Sequence, residues 1–106
     1  MTKYLSNAFS LQMLQEEDVF IRVKTISPAE VPADAQSVIG HADTAAVVSS
    51  ILGREVEMNR ANVTLNKGDV LYVAQLTGGR LPEGSTTLPK GFSLVFKEVR
   101  VGGPVR

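Results

Sequence analysis

The chain contains a single histidine, His41, whose position suggests chemistry on a phosphate group. It precedes an apolar run with helical spacing, so we expect it at or just before a helix amino terminus. Such a terminus offers unpaired N–H groups and about half a positive charge, which attract phosphate. An imidazole there could bind a phosphodiester or protonate a leaving oxygen, because it can carry or release a proton near neutral pH. A capping or surface histidine is the more common alternative.

A second segment with reactive side chains covers residues 78–84 and has the sequence Gly-Gly-Arg-Leu-Pro-Glu-Gly. Its proline stiffens the loop, and Arg80 and Glu83 lie three residues apart. An arginine suits bidentate binding of phosphate, and a nearby carboxylate can position a hydroxyl or orient an imidazole. The alternative is an exposed turn whose Arg–Glu pair contributes well under ~1 kcal/mol. If the fold brings these groups to His41, they are sufficient for metal-free chemistry on a phosphate.

Four further polar side chains are candidate ligand contacts. Arg60 lies at the start of a predicted strand, where a solvated charge is the usual outcome and an anion contact is the alternative. Gln75 lies late in an apolar strand, and a polar group among apolar neighbours needs a partner or a ligand. Asn7 and Ser10 surround the first strand-to-helix turn, where they either cap and form turns or bind a ribose or phosphate.

Composition argues against several classes of function. The 106 residues include 11 Lys plus Arg and 11 Asp plus Glu, and this balance argues against a broad nucleic-acid binder. One histidine and no cysteine argue against a zinc site, and we expect no metal and no cofactor. No apolar run approaches the ~20 residues of a membrane span, and the amino terminus lacks a signal-peptide core. We therefore expect a soluble cytoplasmic protein.

Hydrophobic spacing predicts one domain over residues 1–101, followed by a flexible tail over 102–106. We expect three helical elements: a short helix capped by Ser10, a helical turn after Ser27 and a longer helix over residues 40–52. Gly53 should end the longer helix, and Asp43 or Thr44 should cap its start. Strands are predicted at residues 3–6, 19–26, 61–65, 70–76 and 92–101. A tight turn at 66–69 predicts a hairpin of the third and fourth strands, with 70–76 central in the sheet. The fold class is α+β: a mixed or antiparallel sheet of about five strands with a few short helices packed on it.

Taken together, these segments resemble the viral-type ring nucleases, the type III anti-CRISPR proteins that degrade cyclic tetra-adenylate. The resemblance extends from Tyr4 to about Val101 and lies in the order and spacing of five segments, with the only histidine in the expected place. The segments are YLSNAFS at 4–10, IGH at 39–41, NR at 59–60, DVLYVAQ at 69–75 and GRLPEG at 79–84.

The resemblance implies a role for each candidate residue. It makes His41 the catalytic acid and Glu83 an assisting carboxylate. The implied ligand contacts are Arg80 and Arg60 on phosphate, with Gln75, Asn7 and Ser10 as further contacts. The resemblance also implies a metal-independent RNA phosphodiesterase in which the ribose 2′-hydroxyl attacks the phosphorus. The products would be linear di-adenylates ending in a 2′,3′-cyclic phosphate or a 3′-phosphate.

The implied partners are cyclic tetra-adenylate and a second copy of the chain, with the ligand bound across the two-fold axis of a homodimer. A long nucleic acid and a membrane are not expected partners. Cleavage of the ring would shut off type III CRISPR signalling. The alternative is a non-catalytic protein that binds and sequesters the cyclic oligoadenylate.

Overall fold

The computed structural model describes residues 2–102, and within that range the chain forms one sheet of five strands and one α-helix. Helix α1 (Ala42–Leu52) connects the third strand to the fourth, and two 3₁₀ helices, Leu11–Met13 and Pro28–Glu30, follow the first two strands. The strands in chain order are β1 (Lys3–Ser6), β2 (Phe20–Ile26), β3 (Gln36–Ser37), β4 (Val70–Thr77) and β5 (Ser93–Gly102). The predicted α+β fold with a mixed sheet of about five strands is confirmed.

Parallel and antiparallel pairing are both present in the sheet, whose order is β2-β5-β4-β1-β3. β1 pairs in parallel with β3 on one side and β4 on the other, whereas β5 pairs antiparallel with β4 and β2. β4 is therefore central, as its nearly continuous apolar sequence predicts. Because β1, β3 and β4 run in one direction, β1 and β3 end together at Ser6 and Ser37, beside Val73 of β4, and this end of the parallel pairing is here named the carboxyl edge. β4 itself continues to Thr77.

Each face of the sheet has its own apolar cluster, because side chains alternate along β4. The buried even-numbered residues of β4 face α1 and pack with Ala45 and Val48 of the helix. Leu71 and Val73 face the opposite side, where the segment around Leu65 covers them. Full burial of such a side chain contributes about 1.5–3 kcal/mol. These contacts fix α1 on one face of the sheet and thereby fix the position of its amino terminus.

The predicted hairpin over residues 61–76 is wrong, although its turn forms. Asp69 donates its backbone N–H to the carbonyl oxygen of Asn66 (2.9 Å), and its carboxylate accepts from the N–H of Asn66 (2.9 Å). The strand expected before this turn does not pair with β4, because β1 and β5 occupy both edges of β4. Leu65 instead forms an isolated parallel bridge with Leu14.

Strand β3 lies between the helical turn after Ser27 and the longer helix, where no strand was predicted. It consists of two residues that pair with Tyr4 and Leu5 of β1, and two residues show no alternation from which a strand could be predicted. The predicted tail begins at Gly102, which is instead the last residue of β5. Residues 103–106 lie outside the described part of the chain.

Helix α1 begins at Ala42, two residues earlier than a cap at Asp43 and three residues earlier than a cap at Thr44 would place it. Its N-cap is His41, and Asp43 lies in the first turn of the helix. The predicted stop is confirmed, because Gly53 at the carboxyl end has a left-handed conformation with φ +70° that favours glycine.

The loop of residues 78–92 connects β4 to β5 and is closed at its base by tight backbone packing. Thr77 and Ser93 form the last pair of the ladder, and the Thr77 hydroxyl donates to the Ser93 carbonyl oxygen (3.2 Å). At Gly78, φ is +107°, and an added Cβ would lie 2.7 Å from the carbonyl oxygen of Gly91. Both the conformation and this contact require glycine.

We expect Gly78→Ala to lower the free energy of unfolding by about 2–4 kcal/mol, because strain at positive φ and overlap with the backbone both contribute. Gly68→Ala is the matched control, since its φ is +95° but nothing lies within 4 Å of an added Cβ. We expect the control to lose only about 1–2 kcal/mol. Urea denaturation followed by circular dichroism measures both losses. Equal losses would contradict tight packing at the base of the loop.

Candidate active site

The connection from β3 to α1 begins at the carboxyl edge. Ser6 at the end of β1 pairs with Val73 of β4, and Val38, directly after β3, donates its N–H to the carbonyl oxygen of Leu5 (2.8 Å). The segment that leads to His41 therefore starts where the parallel pairing of β1 with β3 and β4 ends. In sheets of parallel strands, this edge is where ligands commonly bind.

His41 is the N-cap residue of α1 and has an extended backbone, with φ −130° and ψ 130°. Its carbonyl oxygen accepts a helical hydrogen bond from the N–H of Ala45 (3.0 Å). Ile39, two residues earlier, is fully buried and anchors the connection. The His41 side chain is exposed, and within residues 2–102 it makes no capping hydrogen bond. The imidazole thus lies beside the backbone N–H groups and partial positive charge of a helix amino terminus.

Arg60 lies beside Gly40 because the segment before it is tied to the β3–α1 connection. Asn59 donates its backbone N–H to the carbonyl oxygen of Ile39 (2.8 Å) and its side-chain amide to the carbonyl oxygen of Ser37 (2.9 Å). The Arg60 side chain then packs on Gly40, where an added Cβ would lie 3.4 Å from the Arg60 Nε. The guanidinium group therefore lies next to the residue that precedes His41.

Arg80 and His41 line one cleft with a volume of about 430 Å³. The cleft is bounded by the first turn of α1, the end of β4 and the loop of residues 78–92. Its other lining residues are Asp43, Thr44, Leu76 and Leu81. The structure therefore brings two of the predicted groups, the His41 imidazole and the Arg80 guanidinium, into one cleft at the helix amino terminus. Arg60 does not line this cleft and lies against Gly40, the residue before His41.

Glu83 lies in a turn beside this cleft and does not line it. The N–H of Ser85 bonds to the carbonyl oxygen of Pro82 (3.2 Å), and Gly84 at the third position of the turn has φ +81°, as in a type II turn. Glu83 is the second residue of the turn and is exposed. The N–H of Gly84 donates to the Asp43 carboxylate (3.1 Å), and this bond holds the turn near the amino terminus of α1.

Gln75 does not lie among apolar side chains without a partner, as its strand suggested. It is odd-numbered in β4, so its side chain lies on the face opposite α1. The residue is exposed, and solvent can satisfy its amide. Leu76, the next residue, is the one that lines the His41 cleft.

Asn7 and Ser10 follow β1 and also lie outside the lining of that cleft. The predicted capping role of Ser10 is confirmed, because its Oγ accepts from the backbone N–H of Gln12 (3.2 Å). Ser10 borders a second depression of about 620 Å³, which includes Ala61, the residue after Arg60. Asn7 is half-buried at the carboxyl edge. Ligand contacts by Asn7, Ser10 and Gln75 stay predictions.

Asp43 is the site residue whose role the sequence does not reveal. The sequence suggests a helix cap at this position, whereas the structure makes the carboxylate a lining group of the cleft and an acceptor for Gly84. The two residues are 41 positions apart in the chain. No local pattern connects them, and only the fold brings them together.

Between residues 2 and 102, no group of three or more His, Cys, Asp or Glu side chains is arranged to hold a metal ion. Within the same range, no helix has the length and apolar composition needed to cross a membrane.

Comparison with known proteins supports both the fold and a family assignment. B116 of Sulfolobus turreted icosahedral virus has a similar structure, with a TM-score of 0.78 and 24% sequence identity over 94% of this chain and 99% of that chain. This likeness establishes a shared fold. No curated protein matches the chain. The family model described as STIV B116-like matches residues 3–92, which include every candidate site residue. The chain therefore belongs to the STIV B116-like family.

Proposed function

We propose that this protein is a ring nuclease that cleaves cyclic tetra-adenylate to linear di-adenylates without a metal ion. The observation that carries the proposal is the cleft at the amino terminus of α1 that His41 and Arg80 line together, with Arg60 packed against the preceding Gly40. A proton donor that shares a cleft with a cation at a helix amino terminus suits a reaction at a phosphodiester. RNA supplies its own nucleophile, the ribose 2′-hydroxyl, so these side chains are sufficient for the chemistry.

In the proposed reaction, the 2′-oxygen attacks the adjacent phosphorus in line with the departing 5′-oxygen. The P–O2′ bond forms as the P–O5′ bond breaks. The proton of the 2′-hydroxyl passes to Glu83 or to water, and the His41 imidazolium protonates the 5′-oxygen. Arg60 and Arg80 hold the non-bridging oxygens, where negative charge increases in the transition state. The first product ends in a 2′,3′-cyclic phosphate.

The size of the cleft supports shared binding by two copies of the chain. A cavity of roughly 300–1,000 Å³ encloses most of a drug-sized ligand, and the His41 cleft, at about 430 Å³, is at the small end of this range. A ring of four nucleotides is several times larger than such a ligand. In a two-fold homodimer, matching half-sites would each hold part of the ring, and the two His41 residues would cut opposite bonds.

The proposed biological role is to end type III CRISPR signalling in the cytoplasm by destroying its cyclic second messenger. The alternative role, sequestration of the ring without cleavage, requires the arginines and the helix terminus but no proton donor. His41 therefore distinguishes the two roles, because only cleavage needs its proton.

We expect His41→Ala to lower the rate of ring cleavage by about 10²–10⁴-fold, the usual contribution of a general acid, while cyclic tetra-adenylate still binds. Chromatographic separation of ring and linear products measures cleavage under single-turnover conditions, and calorimetry measures binding.

Excess EDTA should leave the rate for the unsubstituted protein unchanged. Loss of activity in EDTA would contradict metal-free cleavage. Stoichiometric binding by the unsubstituted protein with no linear product would instead identify a sequestering protein.

We expect Arg60→Ala and Arg80→Ala each to weaken binding of cyclic tetra-adenylate by about 10- to 100-fold, because each removes a hydrogen bond to a charged group worth about 1.5–3 kcal/mol. Arg22→Ala is the matched control. Arg22 is exposed on β2 and aligns with Arg100 and Val70, at the opposite end of the sheet from the carboxyl edge. Calorimetry measures all three variants. Equal affinities in the three would contradict an anion site at His41 and would favour a protein-interaction domain.

A further inference from the structure

We propose that Asp43 is a positioning residue that holds the Glu83 turn and Arg80 beside His41. The effect on cleavage rests on the proposed function, whereas the effect on the loop does not. The geometry on which it stands is a hydrogen bond of 3.1 Å from the N–H of Gly84 to the Asp43 carboxylate. The bond joins the first turn of α1 to the tip of the loop of residues 78–92.

The loop has few other hydrogen bonds to the rest of the fold within residues 2–102. Its ends are fixed by the Thr77–Ser93 pair and by the contact of Gly78 with Gly91. Its other hydrogen bonds, within the part of the chain that the structure describes, lie inside its own turns. Among residues 2–102, the bond to Asp43 is therefore the one hydrogen bond that ties the loop tip to another element.

The bond from Gly84 to Asp43 lies close in the chain to the two loop residues with proposed roles in cleavage, Glu83 and Arg80. Gly84 is adjacent to Glu83 in the turn, and Arg80 lies four residues earlier, where it lines the cleft together with Asp43. A bond that fixes the turn thus restricts where the carboxylate and the guanidinium can lie relative to His41. Displacement of a catalytic group by about 1 Å can lower a rate by about 10²-fold.

A carboxylate at this position also has an unfavourable effect on the binding of an anion, in addition to its contact with the loop. Its negative charge lies in the same cleft as the proposed phosphate site and opposes binding of an anion. An aspartate in the first helical turn does stabilise a helix through the macrodipole. The stabilisation of the helix depends on the charge of Asp43, whereas the contact with the loop depends on an acceptor oxygen. Variants that remove the charge but keep the oxygen therefore distinguish the two effects.

The test compares Asp43→Ala, which removes charge and acceptor, with Asp43→Asn, which removes the charge and keeps an acceptor oxygen. Asp34→Ala is the matched control, because Asp34 is an exposed carboxylate that pairs with Lys3 (3.3 Å) at the amino end of β1. The first readout is the rate of trypsin cleavage after Arg80 and Lys90 in the ligand-free protein. We expect the rate of trypsin cleavage to rise by about fivefold or more in Asp43→Ala, because one hydrogen bond is lost. The rates in Asp43→Asn and Asp34→Ala should stay close to that of the unsubstituted protein.

The second readout is steady-state cleavage of cyclic tetra-adenylate. We expect Asp43→Ala to lower kcat by at least about tenfold and Asp43→Asn to restore most of it, with thermal stability within a few degrees of the unsubstituted protein in both. If Asp43→Ala acted only by weakening the helix, it would lower thermal stability, and Asp43→Asn would not restore the cleavage rate. Unchanged trypsin cleavage in Asp43→Ala, or failure of Asp43→Asn to rescue either readout, would overturn the positioning role. If the unsubstituted protein does not cleave the ring, the proposed function fails while the trypsin result still decides whether Asp43 holds the loop.

Discussion

Parallel pairing of β1 with both β3 and β4 is the constraint on which the candidate site depends. It brings the carboxyl ends of β1 and β3 together beside Val73 of β4 and starts the β3–α1 connection there. β3 contributes only two residues, but the bond from Val38 to Leu5 and the bond from Asn59 to Ile39 extend the ordered backbone beyond it. The burial of Leu5 and Ile39 then resists any shift of this connection, because a shift would expose apolar surface.

The site consists of segments that are far apart in the sequence, and each is fixed by a different physical cause. His41 is placed by the start of α1, Arg60 by the backbone and side-chain bonds of Asn59, and Arg80 by a loop closed at Gly78. The formal net charge of the chain is zero, so attraction for an anion must be local. In the His41 cleft, Arg80 and the helix amino terminus are the groups that can supply it, and the Asp43 carboxylate in the same cleft is bonded to a backbone N–H.

The sequence predicted those features of the fold that depend on neighbouring residues, and it did not predict those that depend on contacts between distant segments. The start of β1, the stop of α1 at Gly53 and the central position of β4 follow from short-range patterns, and the structure confirms them. The hairpin over residues 61–76 was wrong because a turn sequence cannot show that β1 already occupies the edge of β4. The two-residue strand β3 carries no periodicity that could have predicted it.

The same distinction applies to the site. The placement of His41 at a helix start follows from the apolar spacing after it, and the structure agrees. The contact between Arg60 and Gly40 and the bond between Asp43 and Gly84 are long-range, and no single segment encodes them. The exposure of Gln75 depends on how far the covering segments extend over the sheet, and alternation along β4 alone does not determine this.

The most direct measurement of the central claim uses the fact that His41 is the only histidine in the chain, so its imidazole NMR signals need no assignment by mutation. Cyclic tetra-adenylate carrying 2′-O-methyl groups lacks the nucleophile and should bind without being cleaved. The predicted result is a shift of the His41 imidazole signals that saturates at one ring per two chains. Imidazole signals that stay unchanged when calorimetry shows the ring to be bound, or no binding at all, would contradict a cyclic-nucleotide site at the amino terminus of α1.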